Sequence, residues 1–372
     1  MIKHKHICFI GNFPSHYREP IFKLMDVSFD IEWHFMEQDT SIKPLNINKL
    51  KKAVIEKSTF IRNNTWYFQH NVLKLAFKTN IDTYLIVGEP YSISSWILVR
   101  LIKMFYPKKK VYYWTHGWYG KESKIRKFVK RLFFKPADGI FLYGEYAKRL
   151  MMNEGFEGEK LHVIHNSLDY KKQLCIRDTM SDNDIFVNHF KNKCYNLIFI
   201  GRITTVKHLD QLIEALAILN KNEERYNLTI VGDGSEKKYL MQLADDLRIS
   251  GNIWFYGACY DENVNAKLIY NADLCVSPGN VGLTAMHTMV YGTPVITHDT
   301  FKWQMPEFEA IKRGKTGDFF TFNSVDSMVL AIEKWFNKNH DRRNIIRQFC
   351  YNEIDSNWTP EFQLNVLKLN LL

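Results

Sequence analysis

The sequence predicts an α/β protein made of two Rossmann-like, doubly wound domains. Apolar runs typical of buried strands alternate with helix-like segments, and this alternation occurs twice along the chain. Alternating strands and helices imply right-handed crossovers and a parallel sheet covered by helices on both faces. The length of 372 residues also suits two domains, since one domain usually takes about 100–200 residues.

The first series of elements predicts an N-terminal domain over residues 1–168. Its strands are expected at residues 7–11, 31–35, 83–87, 111–115, 139–143 and 162–165. Residues 171–193 are polar and irregular, which favours a surface insertion or linker.

The second series predicts a C-terminal domain over residues 169–352. Its strands are expected at residues 196–200, 228–231, 253–256, 274–277 and 294–297, with helices between them. A last helix, at about 353–372, is expected to pack back on the N-terminal domain. Doubly wound folds bind ligands beyond the carboxyl ends of their strands, so the loops at those ends carry the functional candidates.

The composition excludes several classes of protein. Hydrophobic residues make up 46% of the chain and aromatic residues 15%, which is far from a disordered composition. No apolar stretch approaches the roughly 20 residues of a membrane span. Residues 1–6 precede only a short apolar run, so a buried strand is expected there and not a secretory signal. The six cysteines are scattered without a CxxC pair, which suits free thiols in a reducing cytoplasm.

The formal net charge of +10 favours contact with phosphates, anionic lipid or nucleic acid without selecting among them. Much of this charge lies at residues 121–135, where apolar residues share one helical face. That segment predicts either docking on an anionic membrane surface or packing on its own sheet with solvated cations. The candidate membrane-facing cations are Lys124, Lys127, Lys130 and Arg131. No motif of combined aromatic and basic residues supports nucleic-acid binding.

A glycine and two cations follow the strand expected at 196–200. Gly201 allows the chain to turn close to a ligand, and Arg202 and Lys207 come soon after it. A guanidinium group binds phosphate in a bidentate way, and a lysine adds a point charge. The loop therefore predicts a diphosphate pocket, with two solvated surface cations as the alternative.

A second loop, residues 277–287, joins a strand to a helix through small residues. The free N–H groups at such a helix start, at Gly282 and Leu283, are expected to form an anion site. The segment Gly232-Asp233-Gly234 lacks the third glycine of a dinucleotide fingerprint, so a plain strand-to-helix turn is favoured there.

In their order and spacing, these segments resemble the GT-B glycosyltransferases of glycosyltransferase family 4. The resemblance covers the C-terminal half well and the N-terminal half more loosely. It is carried by Val163-Ile164-His165-Asn166 with Asp169, Gly201-Arg202 with Lys207, Leu212-Ile213, Val231-Gly232-Asp233-Gly234, Phe255-Tyr256-Gly257, Gly292-Thr293-Pro294-Val295-Ile296, Pro306-Glu307 and Lys315-Thr316-Gly317.

The resemblance implies two domains facing across a cleft and a retaining transfer from a nucleoside diphosphate sugar. It also implies that Arg202 and Lys207 act as catalytic groups by neutralising the leaving diphosphate. No cofactor and no metal is expected, because these cations do that work, and Asp182-Asn183-Asp184 is interpreted as a solvated turn. The donor-binding residues that it implies are Gly201, Asn280, Gly282, Leu283, His287 and Glu307. For Glu307, a surface carboxylate is the alternative.

The chain departs from the family pattern at one place. The family usually carries two glutamates eight residues apart around the Gly-Leu of the second loop, where this chain has Gly279 and His287. An imidazole can hydrogen-bond a ribose hydroxyl, so His287 is expected to substitute for one glutamate. Gly279 cannot replace a carboxylate, and the neighbouring Asn280 is the candidate for that position.

The N-terminal half contributes two segments to the resemblance. Gly11, Asn12 and His16 lie in a segment that resembles the acceptor-side loop of the family. Thr115-His116-Gly117 resembles the loop that brings a histidine near the transferred sugar, which makes His116 a third catalytic candidate. A buried structural histidine is the alternative for His116.

The sequence therefore predicts a glycosyltransferase that moves a sugar to a glycan or lipid-linked acceptor in bacterial cell-surface polysaccharide biosynthesis. It is expected in the cytoplasm, with a peripheral position on the inner membrane face as a hypothesis. A nucleotide-sugar epimerase of the same fold and a catalytically inactive nucleotide-sugar-binding protein remain the alternatives.

Overall fold

A computed structural model describes residues 5–38, 43–61 and 65–372. The chain divides into an N-terminal unit, Met1–Asp169 with Thr359–Leu372, and a C-terminal unit, Tyr170–Trp358. The chain thus returns to the first unit at Thr359, later than the predicted residue 353. Residues 1–4, which enter the prediction about a secretory signal, lie outside the described residues.

The N-terminal unit contains a parallel sheet of seven strands and a separate antiparallel hairpin. In chain order the strands are β1 (His6–Ile10), β2 (Asp30–Met36), β3 (Ala53–Glu56), β4 (Ser58–Ile61), β5 (Trp66–Gln69), β6 (Thr83–Val87), β7 (Lys110–Thr115), β8 (Gly139–Leu142) and β9 (Leu161–Val163). The sheet order is β3-β2-β1-β6-β7-β8-β9, and β4 pairs with β5. Sequence reasoning missed β3, β4 and β5, which are short and partly exposed, so they lack a clear apolar pattern.

Helices cover this sheet on both faces. They are α1 (Glu19–Ser28), α2 (Ile93–Phe105), α3 (Lys124–Phe134) and α4 (Glu145–Asn153). Two separate apolar cores result. The central strand β1 is fully buried, which explains its uninterrupted apolar sequence.

The C-terminal unit contains a parallel sheet of six strands. They are β10 (Tyr195–Ile200), β11 (Tyr226–Val231), β12 (Ile253–Gly257), β13 (Leu274–Ser277), β14 (Val295–His298) and β15 (Gly317–Phe320). The sheet order is β12-β11-β10-β13-β14-β15. The order therefore reverses between β10 and β13, and ligands of such sheets bind where the strand order reverses.

The helices of this unit alternate with its strands. They are α5 (Tyr170–Arg177), α6 (Ile185–Phe190), α7 (Leu209–Leu219), α8 (Lys237–Asp246), α9 (Glu262–Asn271), α10 (Leu283–Met289), α11 (Val325–Asn339) and α12 (Arg343–Asn357). The prediction of an irregular linker at 171–193 is wrong, because α5 and α6 lie there. Both helices are short, and between them they bury only Gln173, Ile176 and Phe186. The sequence therefore shows no clear helical spacing of apolar residues at these positions.

The last helix, α13 (Pro360–Leu371), belongs to the N-terminal unit. The Thr359 side chain caps it by accepting a hydrogen bond from the N–H of Phe362, and proline occupies its first turn, as helix starts favour. Its buried leucines, among them Leu367, join the core that contains α1. Within the described residues, no helix combines the length and the hydropathy needed to cross a membrane.

Candidate functional site

The first predicted loop lies at the switch point of the C-terminal sheet. It follows the central strand β10 and passes through Gly201 into a single turn at Thr205–Lys207 before α7 begins. Arg202 is exposed, and no described carboxylate lies within ion-pair distance of it. Its guanidinium is therefore available to a ligand at the carboxyl end of β10.

Lys207 is held by the second predicted loop. Its Nζ donates to the backbone oxygen of Asn280 at 2.5 Å and to Asn280 Oδ1 at 2.7 Å. Burial, with the neighbouring charge of Arg202, lowers the pKa of Lys207 to about 8. The two predicted cations thus lie close together, and Asn280 positions one of them.

Gly279 explains why the first family glutamate is absent. Its N–H donates to the Lys207 carbonyl at 3.0 Å. A Cβ at this position would lie 2.0 Å from the Val206 oxygen and 2.7 Å from Lys207 Cα. Any side chain at 279 would therefore separate the two loops, and the glycine is what lets them touch.

Two polar side chains that sequence reasoning missed fix the second loop. Gln304 accepts a hydrogen bond from the N–H of Val281 at 2.9 Å and donates to Thr297 Oγ1 at 2.9 Å. Thr297 in turn donates to the Ser277 carbonyl at 2.7 Å. All these groups are buried, so the loop is held by a closed polar network. No local pattern marks either residue, because their partners lie far away in the sequence.

The predicted helix start at Gly282 and Leu283 is present but short. Gly282 has φ +52° and no side-chain cap, and α10 has 7 residues. The Thr284 hydroxyl donates to the Ile200 carbonyl at 2.8 Å, which joins this helix to β10. The phosphate contact of Gly282 and Leu283 stays a prediction, and the cations of the first loop carry the site.

His287 contacts a carboxylate that sequence reasoning missed. Its Nε2 lies 3.0 Å from Glu262 Oε1, which also accepts hydrogen bonds from Tyr291 at 2.7 Å and from Gln173 at 3.0 Å. Burial alone would raise the pKa of Glu262, but these hydrogen bonds lower it to about 2. A glutamate at 287 would face this carboxylate, so histidine suits the position. The ribose contact of His287 stays a prediction.

Glu307 is buried in the turn Pro306–Ala310, with an exposed fraction of 2%. The alternative of a surface carboxylate is therefore wrong. Its charge favours the protonated form of Lys207, which places the carboxylate near the donor-side cations.

The N-terminal sheet has its own switch point between β1 and β6. Asn12, after β1, donates to Glu89, after β6, at 2.6 Å. Gly11 is buried at the end of β1. His16 is exposed and hydrogen-bonded to the Lys43 carbonyl at 3.1 Å. It does not line the cavity at this edge, and its acceptor-side role stays a prediction.

A cavity of about 860 Å³ opens at this edge of the N-terminal unit, and His116 lines it. The imidazole packs against the rings of Tyr143 and Tyr119 at centroid distances of 4.6 and 5.8 Å. Burial, together with the charges of Arg18 and Lys130, lowers the pKa of His116 to about 4. The ring is therefore neutral at physiological pH.

The prediction of Lys130 as a membrane-facing cation is wrong. Its Nζ lies 2.7 Å from Glu122 and donates to the Gly117 carbonyl at 2.5 Å. The side chain also covers the ring of Trp118 and lines the cavity. α3 begins at Lys124. The position of residue 130 along this helix faces the loop after β7, which contains Gly117.

Among the described residues, one group has metal-ligand atoms within 4.8 Å of one another, namely Cys8, Glu32 and His34. Glu32 lies 3.1 Å from Lys78, and His34 lies 2.8 Å from Glu56. Burial raises the pKa of the Cys8 thiol. The group is thus an ion-paired network around a protonated thiol, which is a poor metal ligand. Asp182-Asn183-Asp184 precedes α6 and does not follow a strand.

The lowered pKa of Lys207 leads to a testable pH dependence. Below about pH 8 the lysine of the free protein carries its charge, and above that pH binding must first protonate it, so nucleoside diphosphate affinity should fall. Isothermal titration calorimetry from pH 7 to 9.5 measures this. The Lys207→Ala variant should bind more weakly and without this pH dependence. An unchanged affinity of the wild type across the range would contradict the assignment.

Residues 180–349 match the family described as "Glycosyl transferases group 1". Among curated proteins, a 41.2 kDa protein of the cps region of Klebsiella pneumoniae, described as uncharacterized, is 21% identical over 240 residues. That match covers 62% of each chain. The GDP-mannose-dependent alpha-(1-6)-phosphatidylinositol dimannoside mannosyltransferase of Mycobacterium tuberculosis is 33% identical over 107 residues, which are 28% of this chain and 27% of that protein. The chain thus spans less than two thirds of the length of either relative.

The fold is shared with solved structures. The apo form of a lipopolysaccharide outer core galactosyltransferase, WaaB, superposes with a TM-score of 0.73 and 18% identity. The superposition covers 99% of this chain and 100% of that one. The predicted GT-B fold class and the predicted family resemblance are confirmed.

Proposed function

We propose that this chain, whose residues 180–349 carry a glycosyl transferases group 1 domain, transfers a sugar from a nucleoside diphosphate sugar to a glycan or lipid-linked acceptor. The observation that carries the proposal is the pairing of Arg202 and Lys207 at the switch point of the C-terminal sheet. Lys207 is half-buried and bonded to Asn280, and Arg202 is exposed but near enough for its charge to lower the pKa of Lys207. Two neighbouring cations match the charge of a diphosphate.

The chemistry requires charge neutralisation on the leaving group. The bond between the anomeric carbon and the diphosphate oxygen breaks, the acceptor oxygen bonds to that carbon, and the proton of the acceptor hydroxyl passes to the departing diphosphate. Arg202 and Lys207 stabilise the negative charge that develops on the departing nucleoside diphosphate. These protein cations take the place of a metal ion, and the sugar keeps its anomeric configuration, as the family resemblance implies. His116, which is neutral, is available to hydrogen-bond a sugar or acceptor hydroxyl.

The relatives support a place in cell-surface polysaccharide or glycolipid assembly. One lies in a cps region, and another is a mannosyltransferase acting on a phosphatidylinositol dimannoside. We propose the same general class of acceptor here, with bacterial surface polysaccharide as the pathway.

Product analysis tests the function and separates the alternatives. UDP- and GDP-hexoses are incubated with the protein, alone and with undecaprenyl diphosphate sugars as acceptors. The proposal expects release of nucleoside diphosphate only with an acceptor, and an α-linked product from an α-linked donor. Conversion of the donor's sugar without acceptor would indicate an epimerase. Binding without release under every condition would indicate an inactive nucleotide-sugar-binding protein.

A membrane contact of the N-terminal unit is the second part of the proposal. Ile125, Phe128 and Leu132 lie one turn or two apart on α3 and are exposed by 77%, 57% and 41%. Their spacing places them on one face.

The cations of α3 lie beside this apolar face. The candidates Lys127 and Arg131 share one carboxylate, that of Glu154, at 2.6 and 3.2 Å. Lys124, at the start of α3, is exposed. An apolar stripe with a net positive border suits an anionic membrane surface.

Liposome flotation tests this contact. The wild type should float with vesicles containing phosphatidylglycerol and not with pure phosphatidylcholine. The double variant Ile125→Glu with Phe128→Glu should partition about 100-fold more weakly, since two apolar side chains leave the interface. The matched control is Leu330→Glu, on α11 of the other unit, where the leucine is 65% exposed. Equal flotation with both lipids would refute the contact.

A further inference from the structure

The cavity of the N-terminal unit contains a buried arginine that makes no ion pair with any described residue. Arg18 ends the turn His16–Arg18 before α1, has an exposed fraction of 8% and lines the cavity. Its Nη2 is buried without a hydrogen-bond partner. No carboxylate of the described residues lies within ion-pair distance of it. A buried charge without a partner is strongly destabilising, as the loss of one member of a buried ion pair is.

Aromatic rings hold the guanidinium in place. Its central carbon lies 4.4 Å from the ring centroid of Trp114 and 4.8 Å from that of Phe22. Such cation–π contacts offset part of the desolvation cost. They do not supply hydrogen-bond acceptors, so Nη2 of Arg18 remains without one among the described residues.

Lys130, Glu122 and Glu89, which also line the cavity, have partners. Lys130 is paired with Glu122, which also accepts hydrogen bonds from two backbone N–H groups at 2.9 Å. Glu89 accepts hydrogen bonds from Asn12 at 2.6 Å and from the Tyr67 hydroxyl at 2.9 Å. Arg18 therefore differs from these groups, because its charge is not compensated by any of them.

His116 adds a second open position in the same cavity. Its Nδ1 is buried without a hydrogen-bond partner. The charge of Arg18 contributes to the lowered pKa of this imidazole, so the two side chains lie near each other. A ligand that approaches Arg18 therefore also meets a neutral imidazole that packs against two tyrosine rings.

We propose that the cavity binds an oxyanion of the acceptor, a carboxylate or a phosphate, with Arg18 as its bidentate partner. A guanidinium presents parallel donors that match both groups. The bound anion pairs with the charge of Arg18 and accepts a hydrogen bond from Nη2. That the bound anion belongs to an acceptor rests on the proposed function. Binding of an anion to this cavity can be measured without any sugar transfer.

The test uses the full chain carrying Arg202→Ala and Lys207→Ala, which removes the donor-side cations as competing phosphate sites. Inorganic pyrophosphate, D-glucuronate and neutral D-glucose are added separately, and the thermal unfolding midpoint is measured. At least one anion should raise the midpoint by roughly 2–4 °C at saturating concentration, and glucose should not. Pyrophosphate alone would identify the phosphates of a lipid carrier, and glucuronate alone an acidic sugar.

Arg18→Met keeps most of the side-chain volume and should abolish the response. Because it removes an unpaired buried charge, its own midpoint should equal or exceed that of the parent. Arg18→Lys, which keeps the charge and loses the fork, should weaken the anion's affinity by about tenfold. The matched control is Arg100→Met, since this exposed arginine also covers a tryptophan, Trp96, at 4.8 Å but lies outside the cavity.

The proposal is overturned if neither anion raises the midpoint, if glucose acts equally, or if the response survives Arg18→Met. If Arg18→Met does not fold, a response unchanged in Arg18→Lys overturns it as well. Failure of the proposed function is recognised separately. In the otherwise wild-type chain, Arg18→Met should leave nucleoside diphosphate affinity unchanged, because that ligand belongs to the C-terminal unit.

Discussion

Replacing Lys207 with alanine is expected to lower kcat/KM for the nucleotide sugar by about 10²–10³, the usual cost of removing one preorganised group that stabilises transition-state charge. The lysine is half-buried, and both oxygens of Asn280 fix its Nζ. Such a group is already in position when the diphosphate leaves, so its reorientation costs no free energy at that step. Steady-state kinetics with the donor identified by the product screen measure the loss.

Lys267→Ala is the matched control for this variant. Lys267 lies on α9 of the same unit and is exposed, so its removal should leave kcat/KM unchanged. If Lys207→Ala retained more than half of the wild-type kcat/KM, the lysine would not contact the leaving group. If both variants lost activity equally, the effect would reflect the general charge of the unit.

Restoring the family glutamate at position 279 is expected to damage the protein. The new Cβ would lie 2.0 Å from the backbone oxygen of Val206. Overpacking at a tight contact costs about 1–3 kcal/mol, and here it would push the lysine loop away from Asn280. Gly279→Glu should therefore lower the unfolding midpoint and weaken nucleoside diphosphate binding at least about tenfold.

Two further variants separate the steric cost from the effect of the charge. Gly279→Ala adds only the Cβ and should already reproduce most of the loss. Gly251→Ala is the control, because a Cβ there meets no atom within 4 Å. A Gly279→Glu protein that bound the donor as tightly as the wild type would show that the two loops do not need their close contact.

The candidate site of the C-terminal unit was largely predictable because its evidence is local in the sequence. Gly201, Arg202 and Lys207 follow one strand, and Asn280 lies in the loop after the neighbouring strand. The sheet then brings these loops together. Glu262 escaped notice because it reaches His287 from another helix, and no spacing rule connects a carboxylate to an imidazole 25 residues away.

The N-terminal side was less predictable, because burial decides what its charges do. The chain contains 50 lysines and arginines, and in the sequence Arg18 looks like any other. Only the packing of α1 against β7 shows that it is enclosed by Phe22 and Trp114. Lys130 was misassigned for the same reason, since its partner Glu122 precedes the helix.

The most direct measurement compares the affinities of a nucleoside diphosphate and its nucleoside by isothermal titration calorimetry. We attribute the difference in affinity between the two ligands to Arg202 and Lys207. With about 1.5–3 kcal/mol for each charged contact, the wild type should bind the diphosphate at least about 100-fold more tightly than the nucleoside. Arg202→Ala combined with Lys207→Ala should remove most of that difference, and Lys267→Ala should preserve it. A difference that the double variant leaves unchanged would contradict the account.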